Sequence, residues 1–230
     1  MSAYQRLLAD TQTEREAMLA IPLLQRAQRG EVSHAEYLAF LGQAYHHVRY
    51  TVPLMMACGA RLPADKGWLR DALVEYIDEE HGHEHWVLDD IRAAGGDPDA
   101  VVAATPAPAT RLMVGHVRDV ITHDNPVGFF GMVLVLEGTS TALATQAAEA
   151  LQQNLGLPKE AFSYLLSHGS LDIGHMAFYE KLIERLDEDD LAAVIDTAAM
   201  VYRLYGAMFR GVEAACGGGD VTRELADALV

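Results

Sequence analysis

Cysteine is scarce in this chain: there are two in 230 residues, Cys58 and Cys216, and neither belongs to a CxxC pair. A disulfide framework or a cysteine-built zinc ribbon is thereby excluded, and a reducing compartment fits best. Basic residues are also few, 17 against 33 acidic ones for a net charge of -16, so neither nucleic acid nor a membrane surface is an expected partner. The opening stretch MSAYQRLLADTQTERE lacks the apolar core of a secretory leader, and a cytoplasmic location is expected. Apolar runs such as GFFGMVLVLEG and LAAVIDTAAMVYRLYGAMF are too short or too interrupted for a bilayer span and read as buried helices. Alternating segments of the kind that make half-buried strands are missing as well. What is present is 50% hydrophobic content at helical spacing with no break in composition, which predicts one all-α domain over residues 1–230.

Turn signals divide the chain into long helical segments. A first helix is expected over residues 3–28, broken near Pro22, followed by a capping box with Ser33 as N-cap and Glu36 three residues on. A second helix runs to about Leu62, bent by Pro53, and a third spans about 67–94 and stops at the glycine pair of AAGGDPD. A short helix near 98–103, the connector ATPAPAT and the segment RLMVGHVRDVITH come next. The stretch DNP caps a helix over 126–154, LGLPKEAF opens another, and LDEDD leads into a helix of about 25 residues before a short closing one at VTRELADAL.

Three places concentrate chemistry. In LLSHGSLDIGHMAFYEK, His168, Asp172 and His175 stand at offsets of 0, 4 and 7, roughly 0°, 40° and 340° around a helix, so all leave one face. Imidazole nitrogens and carboxylate oxygens on one stripe suit iron, manganese or zinc, and equally suit a solvated face. Gly169 and Gly174, each unfavourable in a helix by about 1 kcal/mol relative to alanine, predict a close approach to that backbone. In YIDEEHGHEHW, Glu80 and His83 form an E-x-x-H pair, the (i, i+3) spacing of helical carboxylate-bridged di-iron sites. Asp78 with His85 at (i, i+7) and His81 with His85 at (i, i+4) offer alternative spacings, and most of the polar groups there must face solvent or support the ligands from behind. Glu137 follows an apolar run from Phe129 to Leu136, so its carboxylate is expected to be buried and to need a metal or a base as partner. On the second helix, His46, His47, Arg49 and Tyr50 stand near Pro53, where Arg49 or His46 could meet a substrate carboxylate.

The order E-x-x-H, a lone Glu about 57 residues on, then H-x-x-x-D-x-x-H about 31 residues later resembles the heme-oxygenase-like di-iron oxidases and oxygenases. Their fold is shared with TenA thiaminases and the quinone-cofactor synthase PqqC, and the resemblance covers roughly residues 10–215. It implies a compact helical bundle of the heme-oxygenase type. It also implies two non-heme iron ions, the second labile, with Glu80, Glu137 and Asp172 as oxygen ligands and His83, His168 and His175 as nitrogen ligands. The expected reaction is dioxygen-dependent oxidation of a small organic substrate, fatty-acid-like or amino-acid-like, in an apolar cavity, and a homodimer is the expected assembly. In members of the CADD type the first histidine lies seven residues after its glutamate, which here would be Val87, so His85 is kept beside His83. Heme is disfavoured because no histidine precedes His34, and TenA-type hydrolysis has only Cys58 as a candidate nucleophile. The rival expectation is a metal-free protein of the same fold that binds or hydrolyses a ligand.

Overall fold

A computed structural model describes residues 1–228, apart from the side chains of residues 170–173, 221, 227 and 228. The described residues form α-helices and short 3-10 turns and contain no strand, as the spacing predicts. The expected first helix is three: α1 (Ala3–Asp10), α2 (Gln12–Leu19) and α3 (Pro22–Gln28). Pro22 opens α3 at a position whose N–H would have no helical partner in any case. At the earlier break, the N–H and the hydroxyl of Thr11 both donate to the Leu7 carbonyl, at 3.2 and 2.7 Å.

The helix α4 (His34–Val48) starts with the predicted capping box: the Glu36 N–H donates to Ser33 Oγ at 3.2 Å and the Ser33 N–H to the Glu36 carboxylate at 2.8 Å. The anticipated bend at Pro53 is instead a break. Pro53 lies in the first turn of α5 (Thr51–Arg61), where a missing N–H removes no helical bond, and the chain restarts there rather than kinking. The expected helix over 67–94 is likewise two, α6 (Gly67–Glu80) and α7 (His83–Ala93), because Gly82 takes φ 93°, a conformation that side chains resist. After α8 (Pro98–Ala103) and the proline connector come α9 (Pro108–His123), α10 (Phe129–Leu155), α11 (Ser163–Ile183), α12 (Glu188–Gly217) and α13 (Val221–Ala228).

The central layer is α10, which packs along α11 on one side and α12 on the other, while α12 also meets α9, α2 and α4. By length and composition alone, Pro126–Leu155 and Glu188–Gly217 could cross a bilayer, contrary to the expectation, but 61% of each apolar window is buried within the molecule. They are the core helices. Side chains such as Phe129, Phe130, Val135, Val194 and Val201 on these helices are buried. The α10–α11 contact is so close that a Cβ on Gly169 would lie 2.2 Å from Thr145 Oγ1 and 3.0 Å from the Thr145 backbone nitrogen, so only glycine fits. Gly174 meets nothing within 4 Å, and its predicted close approach is not found. Asp90, 0% exposed, fixes the start of α11: its carboxylate accepts the Ser163 N–H at 3.1 Å, the Tyr164 N–H at 2.9 Å and the Ser163 hydroxyl. Donors left over at a helix start are thereby satisfied, and α11 is locked to α7.

Candidate metal centre

The break at Gly82 does what an unbroken helix was expected to do. Glu80 ends α6, His83 begins α7, and the His83 Nδ1–H donates to Glu80 Oε2 at 3.0 Å. From α11, His168 Nε2 comes within 3.2 Å of the same His83 nitrogen and 4.0 Å of Glu80 Oε2. His168 Nδ1 lies 2.9 Å from the Tyr164 carbonyl, which can only accept, so that nitrogen carries the proton and Nε2 presents its lone pair to the cluster. Two turns further along α11, His175 Nδ1 stands 3.7 Å from Glu137 Oε1 on α10, and its Nε2 2.6 Å from Glu79 Oε2 on α6.

Donor atoms of Glu80, His83 and His168 all lie within 4.8 Å of one another, and so do those of Glu80, Glu137 and His175. Glu80 is common to both groups. Burial is strong: Glu80 is 8% exposed, His83 3%, Glu137 8% and His175 7%. Burial pushes the Glu80 carboxyl up, yet the hydrogen bond from His83 and the nearby His168 and His175 hold it below its ordinary value. Aromatic rings enclose the cluster, with Trp86 stacked on His83 at 4.0 Å, Tyr164 4.5 Å from His168, and Tyr76 edge-on to His175 at 5.5 Å. Carboxylates and imidazoles that converge in a shielded pocket are a donor set that fits iron.

Five of the six expected ligands therefore come together, from α6, α7, α10 and α11. The sixth, Asp172, has a side chain outside the described residues. His85 is 73% exposed and stands 3.8 Å from the neighbouring Glu84 carboxylate, which leaves His83 as the histidine of that segment within the cluster. Glu79, its contact with His175 and the flanking rings were not foreseen. Adjacent residues diverge by about 100° on a helix, so a one-face search that chose Glu80 passes over Glu79.

Beside the cluster lies a cavity of about 140 Å³ whose wall includes Glu80, Glu137 and His168. The remainder is mostly apolar, with Leu24, Phe40, Phe129 and Leu165 among its residues. His47 on α4 belongs to this wall and is 1% exposed, and burial holds its imidazole uncharged with a pKa lowered to about 3. The expectation for its neighbours is corrected: Arg49 lies over the Tyr45 and Tyr50 rings, at 5.6 and 5.2 Å, and His46 faces a different hollow beside Met208. Cys58 lies outside the cavity, donating to the Pro126 carbonyl, with burial pushing its thiol up to about 12, so it is no activated nucleophile.

The bundle is a heme-oxygenase-like helical fold. A protein of unknown function with that fold from Shewanella denitrificans superimposes with a TM-score of 0.81 at 19% identity, over 95% of this chain and 97% of that one. A TenA homologue from Pseudomonas syringae gives 0.76 at 12% identity over 90% and 91%, and heme oxygenase-1 from Synechocystis, solved in complex with heme, gives 0.72 at 13% over 94% and 96%. The family model described as iron-containing redox enzyme matches residues 38–206, and the chain belongs to that family. No curated protein matches it.

Proposed function

We propose that this protein is a non-heme di-iron, dioxygen-dependent oxidase or oxygenase acting on a small organic substrate in the apolar cavity. The observation that carries the reading is that one buried carboxylate, Glu80, belongs to two separate groups of donor atoms. A carboxylate has two oxygens and can serve two ions at once. His83 and His168 would hold one iron with Glu80, and Glu137 and His175 the other; Asp172 would complete the set on the strength of its spacing. Bound ferrous ions would supply the electrons and the binding place for dioxygen.

The remaining work falls to the chain itself. Tyr164 holds the His168 ring through its carbonyl, and Trp86 and Tyr76 shield His83 and His175 from water. The apolar wall selects and orients a small substrate next to the carboxylates. Two features favour non-heme iron over heme: α1, α2 and α3 contain no histidine, and a cavity of about 140 Å³ compares with one of about 150 Å³ that holds benzene, far short of a porphyrin. The test is to reconstitute the protein anaerobically with ferrous iron and mix it with oxygenated buffer. A transient visible absorption that needs iron is expected. A metal-free protein that shows none supports the ligand-binding alternative, and a heme spectrum after purification overturns the proposal.

A further inference from the structure

Three polar side chains in the cavity wall have no task in the metal site. Both ring nitrogens of His47 on α4 are buried without a hydrogen-bond partner among the described residues, and so are the hydroxyls of Thr139 and Ser140 on α10. For His47 the neighbour of note is the Tyr205 ring, edge-on at 5.6 Å. Helical Ser and Thr hydroxyls commonly turn back onto a carbonyl one turn earlier. Thr141 does so, donating to Glu137 at 2.8 Å, whereas Thr139 and Ser140 do not. Each buried donor or acceptor left without a partner is unfavourable by about 1–3 kcal/mol, so three such groups on one cavity wall point to a ligand that satisfies them.

We propose that His47, Thr139 and Ser140 form a hydrogen-bonding station that holds an uncharged polar group, an amide or a hydroxyl, of an otherwise apolar substrate beside the metal cluster. A neutral imidazole offers one donor and one acceptor, the same pair that an amide needs, and hydroxyls rotate to complete it. No Lys or Arg is among the described residues of the wall, so a carboxylate would find no protein cation there. Glu36, the acidic wall residue away from the cluster, is engaged by Arg26 at 2.6 Å and offers little to an ammonium. The volume limits the enclosed part of the substrate to about the size of benzene. What happens to that substrate rests on the two-iron reading, but its binding needs only the cavity.

The test uses metal-free full-length protein and calorimetric titration with hexanamide, hexanoate and benzene. Hexanamide is expected to bind at least tenfold tighter than hexanoate. His47→Leu and Thr139→Val should each weaken hexanamide by about 3- to 10-fold, one buried hydrogen bond, while benzene stays within twofold and His47→Gln keeps most of the hexanamide affinity. The proposal is overturned if hexanamide ignores both substitutions, as it would if water alone satisfied these groups, if hexanoate binds equally well, or if benzene binding falls in parallel. Iron titration separates the two claims. Loss of iron in His47→Leu makes His47 a ligand and sinks the station alone, whereas wild-type protein that takes no iron sinks the two-iron reading and leaves the hexanamide result standing.

Discussion

At the scale of single residues, the sequence was most informative where ligands repeat on one helix and least where the chain turns. His168 and His175 were legible because seven residues are close to two helical turns, and the structure sets both against carboxylates. The choice between His83 and His85 was open because a helix running through Gly82 would have carried both. The left-handed turn at Gly82 directs His83 inward and leaves His85 exposed, which favours His83. Substituting His83→Ala is therefore expected to weaken iron binding by at least tenfold, whereas His85→Ala leaves it within twofold. Competitive titration against a ferrous chelator reads the difference, and the reverse order would return the ligand role to His85.

At the scale of elements, the long helices and the break at Pro22 came out of the sequence, whereas the breaks at Thr11, ahead of Pro53 and at Gly82 did not. Proline at 53 suggested a bend because an interior proline removes a hydrogen bond, but in a first turn it removes none. Glycine was equally ambiguous, since an unfavourable residue in a helix signals either a close approach or nothing. Gly169 is the first case and Gly174 the second. Gly169→Ala drives a methyl into Thr145 and is expected to cost about 1–3 kcal/mol, lowering the melting temperature by several degrees. Gly174→Ala, on an open face, should be neutral or stabilising by up to about 1 kcal/mol. Thermal unfolding of both variants checks the pair, and equal losses would contradict the α10–α11 packing described above.

At the scale of the whole molecule, helices are joined by partly buried polar contacts that no local pattern reveals. Arg26 on α3 pairs with Glu36 on α4 at 2.6 Å and with Glu213 on α12 at 3.0 Å. The hydrogen bond from Arg26 is the main cause that lowers the Glu36 carboxyl from 4.5 to about 2. A depressed carboxylate stabilises the fold above its unfolded pKa, so this contribution is fully present above about pH 5 and is lost as pH falls through 4 toward 2. Denaturant unfolding between pH 6 and 3 should show that loss, and Glu36→Gln should flatten it.

The convergence of Glu80, Glu137, His83, His168 and His175 from four helices is likewise a property of the whole fold, and the central claim is that Glu80 serves two ions. The most direct measurement is anaerobic ferrous titration of wild type, His83→Ala and Glu80→Ala, with bound iron counted per chain. The account predicts two ions in wild type, one weakened in His83→Ala, and both lost in Glu80→Ala; undiminished iron in Glu80→Ala, or none in wild type, would contradict it.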